Sequence, residues 1–240
     1  TATAMIRGGV VQNALVLGAE IITPYMDWND RNVAVLFGDG AAAVVLQATQ
    51  NEEGLLAEKL GCFGDAREIL RIHGMGGAYA NQGRLYGVTS WQFEGQEIFK
   101  SEASAAALAK RELTADDIQL VVPHQANLRI IEAVAKRAGI PMERVFTNVQ
   151  RYGNMSSATV PVGLCEALEE GRVAKGGWLL LPALGGGLTS CAHLVRWGDR
   201  VTPLGTSDIE LPPCDRTAVQ LIHEVAARKI TRATDPAISG

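Results

Sequence analysis

The feature that most constrains the fold is a pair of polar loops, each placed between an apolar strand and a helix. Residues 120–127 read LVVPHQAN, an apolar run that ends at a proline and then presents His124 ahead of a helix. Residues 151–157 read RYGNMSS and present Asn154 after a glycine, ahead of a second helix. Polar groups at the carboxyl ends of neighbouring buried strands meet in one crevice, so both donors can converge on one oxygen atom.

The last third of the chain repeats this strand-and-helix theme. Strands are predicted at 118–122, 145–149, 177–184 and 189–197, and helices at 126–138 and 157–170. Alternation at this spacing predicts an α/β fold with βαβ units and a largely parallel sheet. Residues 198–240 are different, because prolines indicate an extended segment before one helix near 216–229.

The first part of the chain opens with the end of a helix that stops at Gly8 or Gly9. Buried strands are predicted at 13–20 and 32–37, a hairpin turn at 38–40, and a returning strand at 41–48. Residues 51–90 are expected to be irregular, and residues 91–112 to form a helix. The helical start without an initiator methionine leads us to expect an earlier segment of the same protein.

Composition excludes several classes of protein. The 240 residues carry a formal charge of −4, which does not suit a nucleic-acid or membrane-surface partner. No apolar run approaches the roughly 18 residues of a membrane span. The four cysteines have no zinc-site spacing and no obvious disulfide framework, which is typical of a reduced, cytoplasmic protein.

The motifs together resemble a known family. The runs LFGDGA at 36–41, HQAN at 124–127, GNMSSA at 153–158 and GGG at 185–187 resemble the C-terminal two-thirds of β-ketoacyl-acyl-carrier-protein synthase III. The resemblance to these condensing enzymes of the thiolase superfamily covers residues 1–197. It implies a thiolase-like α/β fold, layered α-β-α-β-α, with the N-terminal part of the first half lying before this chain. Residues 1–50 would then complete the first half, 51–110 line the substrate site, 111–197 form the second half, and 198–240 extend it.

The resemblance implies a Cys-His-Asn site. His124 and Asn154 resemble the histidine and the asparagine, while the nucleophilic cysteine is expected before residue 1, at the start of the helix that opens the chain. None of the four cysteines takes that place: Cys62 falls in the irregular region and the others in a helix, a strand and the tail. In this chemistry a thiolate takes an acyl group from a thioester, and backbone N–H groups, one of them from Gly186, stabilise the oxyanion.

The second half-reaction explains the histidine and asparagine. A malonyl thioester loses CO₂, negative charge gathers on its thioester oxygen, and the side chains of His124 and Asn154 donate hydrogen bonds to it. Coenzyme A thioesters are substrates in this scheme, and neither a metal nor another cofactor is needed. If Asn154 is considered without His124, the alternative interpretation is that it occupies a left-handed position in a turn.

Further residues are assigned by the same resemblance. Gly95, Gln96 and Phe99 resemble coenzyme A contacts, although the family often has asparagine where Gln96 stands. Gly95 is equally consistent with close helix packing. Asn127 resembles a residue near the pantetheine arm. Leu184 stands where a larger aromatic side chain is common, which favours a primer longer than acetyl.

Lys100, Arg129 and Lys136 are candidates for docking an acidic acyl carrier protein. Arg129 and Lys136 share a helix face with Glu132, and an ordinary solvated face is the alternative. The expected partners are acyl-CoA, malonyl-acyl-carrier protein and a second copy of the chain in a homodimer. Two other functions remain open: a non-catalytic partner subunit, and a relative that condenses without decarboxylation or transfers acyl groups.

Overall fold

The computed structural model describes residues 1–73, 90–93, 103–205, 207–210 and 212–233. Its helices are α1 (Ala2–Arg7), α2 (Arg31–Ala34), α3 (Ala103–Ala109), α4 (Leu128–Ala138), α5 (Val149–Tyr152), α6 (Thr159–Glu169) and α7 (Ala218–Ala233). Its strands are β1 (Asn13–Glu20), β2 (Gly40–Gln47), β3 (Gly54–Cys62), β4 (Leu70–His73), β5 (Ser90–Phe93), β6 (Ile118–Val121), β7 (Trp178–Gly185) and β8 (Thr189–Arg196). Most elements predicted for the last third are confirmed.

The largest sheet in the described residues is mixed and not largely parallel as predicted. Its four strands run in the order β3-β8-β7-β6, and only β6 and β7 are parallel. The connections explain the difference. A helical crossover through α4 and α6 separates β6 from β7, whereas the glycine turn at 186–188 joins β7 directly to β8 and allows only an antiparallel pair. Strand β3 adds to β8 in antiparallel register, although its residues were predicted to be irregular.

Helices cover both faces of this sheet. On one face, α3 and α4 contribute Ala107, Leu108, Ile131 and Ala135 to a cluster with Leu180. On the other face, Ala167 of α6 packs with Leu120, Val122, Phe146 and Leu179. The alternation of Leu120, Val121 and Val122 between the two clusters follows from the two-residue period of a strand. The sheet edge that carries the polar loops is thereby held between two packed layers.

A second sheet pairs β1 with β2 over eight residues, from Asn13 opposite Gln47 to Glu20 opposite Gly40. Strand β1 was predicted to be buried, yet Leu15 is 61% and Leu17 69% exposed. The described residues add no third strand to this pair, and most of its apolar side chains are exposed in the described part of the chain.

Three further predictions were wrong in part. Residues 32–37 form helix α2 and a short link in place of a strand, because Asp30 caps the helix by accepting from Asn32 N–H. The region 145–149 contributes only an isolated bridge between Val121 and Val145 before α5 begins. Within 91–112, strand β5 stands at 90–93 and helix α3 at 103–109, while 94–102 lies outside the described residues.

The glycine-rich turn at 38–40, which leads into β2, contacts the loop that carries Asn154. A hairpin was predicted there, but Phe37 bridges to Asn154 in parallel, and Gly38 N–H donates to the carbonyl oxygen of Asn154 at 3.1 Å. Asn154 N–H in turn donates to the Leu36 carbonyl oxygen at 2.8 Å. The approach requires glycine, because a Cβ on Gly38 would lie 2.0 Å from the carbonyl oxygen of Tyr152. The loop that carries Asn154 is therefore fixed by a segment more than a hundred residues earlier in the chain.

This contact predicts the effect of the substitution Gly38→Ala. The added methyl would clash with backbone, which cannot rotate away, so we expect a loss of about 2–3 kcal/mol in the free energy of unfolding, at the upper end of ordinary overpacking. Urea unfolding measures it. Gly64→Ala is the control, because a Cβ there meets nothing within 4 Å. Equal stability of the two variants would contradict the close approach.

Candidate active site

The predicted catalytic residues line one cavity of about 950 Å³. Its wall includes His124, Asn154 and Gly186, which come from three separate loops, and Leu184 at the end of β7. Most of the remaining wall is apolar, with Ile21, Ile22, Tyr25, Phe37, Leu60, Leu70, Ile72 and Val160. The fold thus brings two polar donors to the wall of a largely apolar chamber.

His124 is held by the backbone on either side. Its N–H donates to the carbonyl oxygen of Pro182 at 2.8 Å, which continues the pairing of β6 with β7 past the end of the strand. The chain then enters α4. Asn127 caps the N-terminus of this helix, because its side-chain oxygen accepts a hydrogen bond from Ile130 N–H at 2.9 Å. The strand end and the helix start together fix the direction of the His124 side chain.

The ring of His124 is neutral at physiological pH. Desolvation by the surrounding protein lowers its pKa from 6.5 to about 4. Its Nδ1 lies 2.6 Å from the hydroxyl oxygen of Thr159, the first residue of α6, which is fully buried. With Nδ1 engaged inside the protein, Nε2 is the ring nitrogen left for the cavity.

Asn154 presents the donor end of its amide. Its Oδ1 accepts from Ser156 N–H at 2.8 Å, so the NH₂ group is the end available for hydrogen bonding in the cavity. The left-handed turn conformation suggested for Asn154 is not found at that residue, and positive φ angles occur instead at Gly153 (φ 68°, ψ −165°) and at Ser156 (φ 50°). A Cβ on Gly153 would also lie 3.1 Å from the Leu36 carbonyl oxygen. The strain at Ser156 is typical of residues that hold a functional side chain in place.

The triple-glycine motif forms the exposed turn between β7 and β8, and Gly186 borders the cavity near Leu70. Gly187 adopts φ 138°, a conformation that side chains rarely allow. The assignment of Gly186 N–H to an oxyanion stays a prediction. Leu184 lines the cavity, and its influence on primer length is likewise a prediction.

Sequence reasoning missed a buried polar network behind the site. Gln125 is completely buried and donates to the carbonyl oxygens of Pro123 and Phe146, while its Oε1 accepts from the N–H groups of Asn148 and Val149. This side chain joins the loop of His124 to the segment that leads to Asn154. A polar residue beside the histidine was the available signal.

The network continues to Glu166 of α6. Its carboxylate accepts from Asn148 Nδ2 at 2.8 Å, from Arg151 at 2.6 Å and from the Tyr152 hydroxyl. Glu166 lies seven residues after Thr159, on the same inner face of the predicted helix, and that spacing could have identified both. These contacts stabilise the short helix α5 directly before Asn154.

The other predicted site residues are more scattered. Asn127 is not part of the cavity wall, and its side-chain oxygen serves as the helix cap. Arg129, Glu132 and Lys136 are exposed on α4, as their spacing predicted, while docking stays untested. Leu128, the first residue of α4, is 46% exposed. The predicted coenzyme A contacts and one docking residue lie outside the described residues: Gly95, Gln96, Phe99 and Lys100.

Two of the four cysteines, Cys165 and Cys191, do not suit the role of an activated nucleophile. Cys62 ends strand β3 and is exposed, which corrects its expected place in an irregular region. Cys191 lines the cavity, but desolvation raises the pKa of its thiol. Desolvation also raises the pKa of Cys165, with the charge of Glu169 adding to the effect. A reactive cysteine needs a lowered pKa, so both thiols stay protonated and unreactive.

Two negative observations apply to the described ranges. No three His, Cys, Asp or Glu side chains there are grouped so that they could hold a metal ion. Within the same ranges, every helix is too short or too polar to cross a membrane.

Comparison with known proteins agrees with this geometry. The sequence family described as 3-Oxoacyl-[acyl-carrier-protein (ACP)] synthase III matches residues 1–64, and its C-terminal family matches residues 108–197. A Vibrio cholerae protein named Beta-ketoacyl-[acyl-carrier-protein] synthase III 2 is 45% identical over 230 residues, which cover 93% of this chain and 64% of that protein. The structure of 3-oxoacyl-[acyl-carrier-protein] synthase III from Aquifex aeolicus is 39% identical with a TM-score of 0.73, over 82% of this chain and 61% of that one.

A priming β-ketosynthase from a polyketide biosynthetic pathway is 28% identical with a TM-score of 0.73, over 83% of this chain and 61% of that one. The class defined by fold and site is that of the thiolase-like α/β proteins. Within it, the chain belongs to the β-ketoacyl-[acyl-carrier-protein] synthase III family. It spans less than two thirds of the length of these relatives, 64% in the Vibrio cholerae protein.

The environment of His124 predicts its titration. Because its folded pKa of about 4 lies below 6.5, the unfolded chain binds more protons between these values. The stability contribution of the neutral ring is therefore complete above pH 6.5 and is lost as the pH falls from 6.5 toward 4. Nitrogen-15 NMR of histidine-labelled protein, with the His124 signal assigned by its loss in His124→Gln, should show no protonation step near pH 6.5. A free histidine standard in the same buffer is the control, and a matching titration would contradict the burial of the ring.

Proposed function

We propose that this protein catalyses the decarboxylative Claisen condensation of an acyl-CoA primer with malonyl-acyl-carrier protein, an acyl transfer in fatty-acid biosynthesis. The observation that carries the proposal is the presence of His124 and Asn154 on the wall of one largely apolar cavity, each with one end of its side chain engaged by the protein. Family membership supports it, because the named relatives are β-ketoacyl-acyl-carrier-protein synthases.

The chemistry of the malonyl step explains the two donors. The bond between the α-carbon and the free carboxylate breaks, CO₂ leaves, and the electron pair moves toward the thioester carbonyl. The resulting enolate carries its charge on the carbonyl oxygen, where Nε2–H of His124 and the amide of Asn154 donate. The α-carbon then attacks the acyl carbon of the thioester held on the upstream cysteine. The acyl–sulfur bond breaks, the cysteine thiolate leaves, and a β-ketoacyl thioester results.

The environment suits this anion. In a largely apolar chamber each hydrogen bond to a developing charge is stronger than in water. A neutral His124 is already a donor at one nitrogen and needs no proton from solvent. The proposal includes no metal and no cofactor, because cysteine chemistry and hydrogen bonds suffice, and it places the protein in the cytoplasm as a homodimer. Priming of polyketide synthesis is a second candidate that uses the same steps, and the 28% identical priming synthase favours it.

The variants His124→Ala and Asn154→Ala test whether these residues act in malonyl decarboxylation and not in acyl loading. Each should lower malonyl decarboxylation by about 10²–10³, since removal of one oxyanion donor costs roughly 2.7–4 kcal/mol. Release of labelled CO₂ from malonyl thioester measures it, and His223→Ala, in the exposed part of α7, is the control. Acyl loading should suffer less. Equal loss of both half-reactions in folded protein would remove His124 and Asn154 from the enolate step.

Carrier docking is tested by charge reversal on α4. Arg129→Glu should raise the KM for malonyl-carrier protein while kcat with a malonyl-CoA surrogate stays the same, and the effect should shrink as salt rises. Arg200→Glu, an exposed charge in the loop after β8, is the control. If Arg129→Glu lowers activity equally with malonyl-carrier protein and with the surrogate, Arg129 supports the structure of the site and does not bind the carrier. If the effect does not depend on salt, the charged face of α4 is an ordinary solvated surface.

A further inference from the structure

The hydroxyl group of Thr159 stands between two acceptors. Its Oγ1 lies 2.6 Å from Nδ1 of His124 and 2.9 Å from the carbonyl oxygen of Ser156. A hydroxyl has one proton, so it can donate to only one of them at a time. If Thr159 donates to Ser156, Nδ1 must carry a proton and donate to Thr159. If Thr159 donates to Nδ1, the imidazole proton resides on Nε2.

The choice matters because the ring holds a single proton. Desolvation keeps His124 neutral at physiological pH, and a neutral imidazole is a donor at one nitrogen and an acceptor at the other. The hydrogen bond made by one nitrogen decides which of them is protonated. The orientation of one buried hydroxyl therefore determines whether the cavity meets an N–H donor or a lone pair.

We propose that Thr159 donates its hydroxyl proton to Nδ1 of His124 and thereby holds the ring in the tautomer with the proton on Nε2. Thr159 is a positioning residue in this assignment, since it acts through His124. The assignment deepens the proposed function and rests on it in one respect: an enolate oxygen requires a donor at Nε2, whereas a lone pair there would repel it.

Two observations favour this orientation independently of the reaction. An imidazole nitrogen is a stronger proton acceptor than a peptide carbonyl, and the contact to Nδ1 is the shorter of the two. Thr159 is also fully buried, so no water competes for its hydroxyl.

The same turn orients both donors of the site. Asn154 accepts from Ser156 N–H with its oxygen, and three residues after Ser156 the hydroxyl of Thr159 reaches His124. The segment 154–159 therefore exposes the donor end of the asparagine and selects the donor tautomer of the histidine. A displacement of this turn would disturb both donors together.

Nitrogen-15 NMR of the histidine-labelled protein without substrate tests the assignment directly. At neutral pH we expect His124 to carry its proton on Nε2, with Nδ1 unprotonated and shifted by a hydrogen bond. Thr159→Ser keeps the hydroxyl and should preserve both signatures. Thr159→Val keeps the shape and removes the hydroxyl, so the hydrogen-bond shift at Nδ1 should disappear.

Kinetics provide a second test. In Thr159→Val we expect kcat for malonyl decarboxylation to fall roughly two- to tenfold, because this is the range expected from the loss of one ordinary hydrogen bond. The KM should change little, and Thr159→Ser should restore the rate. A fall in kcat without any change in the Nδ1 signal would overturn the assignment.

A proton on Nδ1 in the unsubstituted protein would also overturn it, whatever the variants do. Because this spectrum needs no substrate, it separates the assignment from the reaction. Protonated Nε2 with a Thr159-dependent Nδ1 signal, in a protein that releases no CO₂ from malonyl thioester, would support the role of Thr159 and refute the proposed function.

Discussion

The site depends on one buried amide, the side chain of Gln125. It uses both of its donor hydrogens and both acceptor positions on backbone groups, one of them beside the histidine at Pro123 and three on the segment 146–149 that leads into α5. An amide with every position engaged cannot rotate without leaving buried groups unsatisfied, which costs about 1–3 kcal/mol for each. The spacing between the loops of His124 and Asn154 is therefore set by hydrogen bonds of fixed length as well as by apolar packing.

Glu166 extends this constraint with charge. Glu166 is 8% exposed, and the desolvation of its carboxylate is offset by the Arg151 guanidinium, the Tyr152 hydroxyl and the Asn148 amide. Such a pair adds little net stability over apolar packing, but loss of one partner leaves a buried charge that is costly. The guanidinium of Arg151 also lies 5.0 Å from the centre of the Tyr152 ring. The main effect of the network is to fix the position of the Asn154 loop, and its contribution to the free energy of unfolding is smaller.

The sequence predicted those parts of the structure that depend on local pattern. Strand β6 and helices α4 and α6 follow from apolar periodicity, and His124 stands just past the end of β6, as the rule for strand ends predicted. Asn154 lines the same cavity but follows helix α5, since the strand predicted before it is only an isolated bridge. The direction of the strands was predicted less well. A strand that follows a helical crossover and a strand that follows a glycine turn have similar sequence patterns, but the first runs parallel to its neighbour and the second antiparallel. Strand β3 was missed because its hydrogen-bond partner, β8, lies more than a hundred residues away. The spacing of Thr159 and Glu166 indicates polar residues on the inner face of α6, but it does not show that the Thr159 hydroxyl contacts His124, 35 residues earlier in the chain.

The parallel bridge between Phe37 and Asn154 has a consequence for the evolution of the protein. It joins the two halves of the fold through backbone hydrogen bonds and through the absence of a side chain at residue 38, so the halves are not independent modules. Recombination between relatives at a point between residues 40 and 150 is compatible with an intact site only when the incoming first half also has glycine at the position that faces Tyr152. This contact constrains only backbone atoms and the absence of a Cβ at residue 38, and it places no requirement of its own on the neighbouring side chains. Relatives can therefore differ in sequence around the contact while the contact itself is kept.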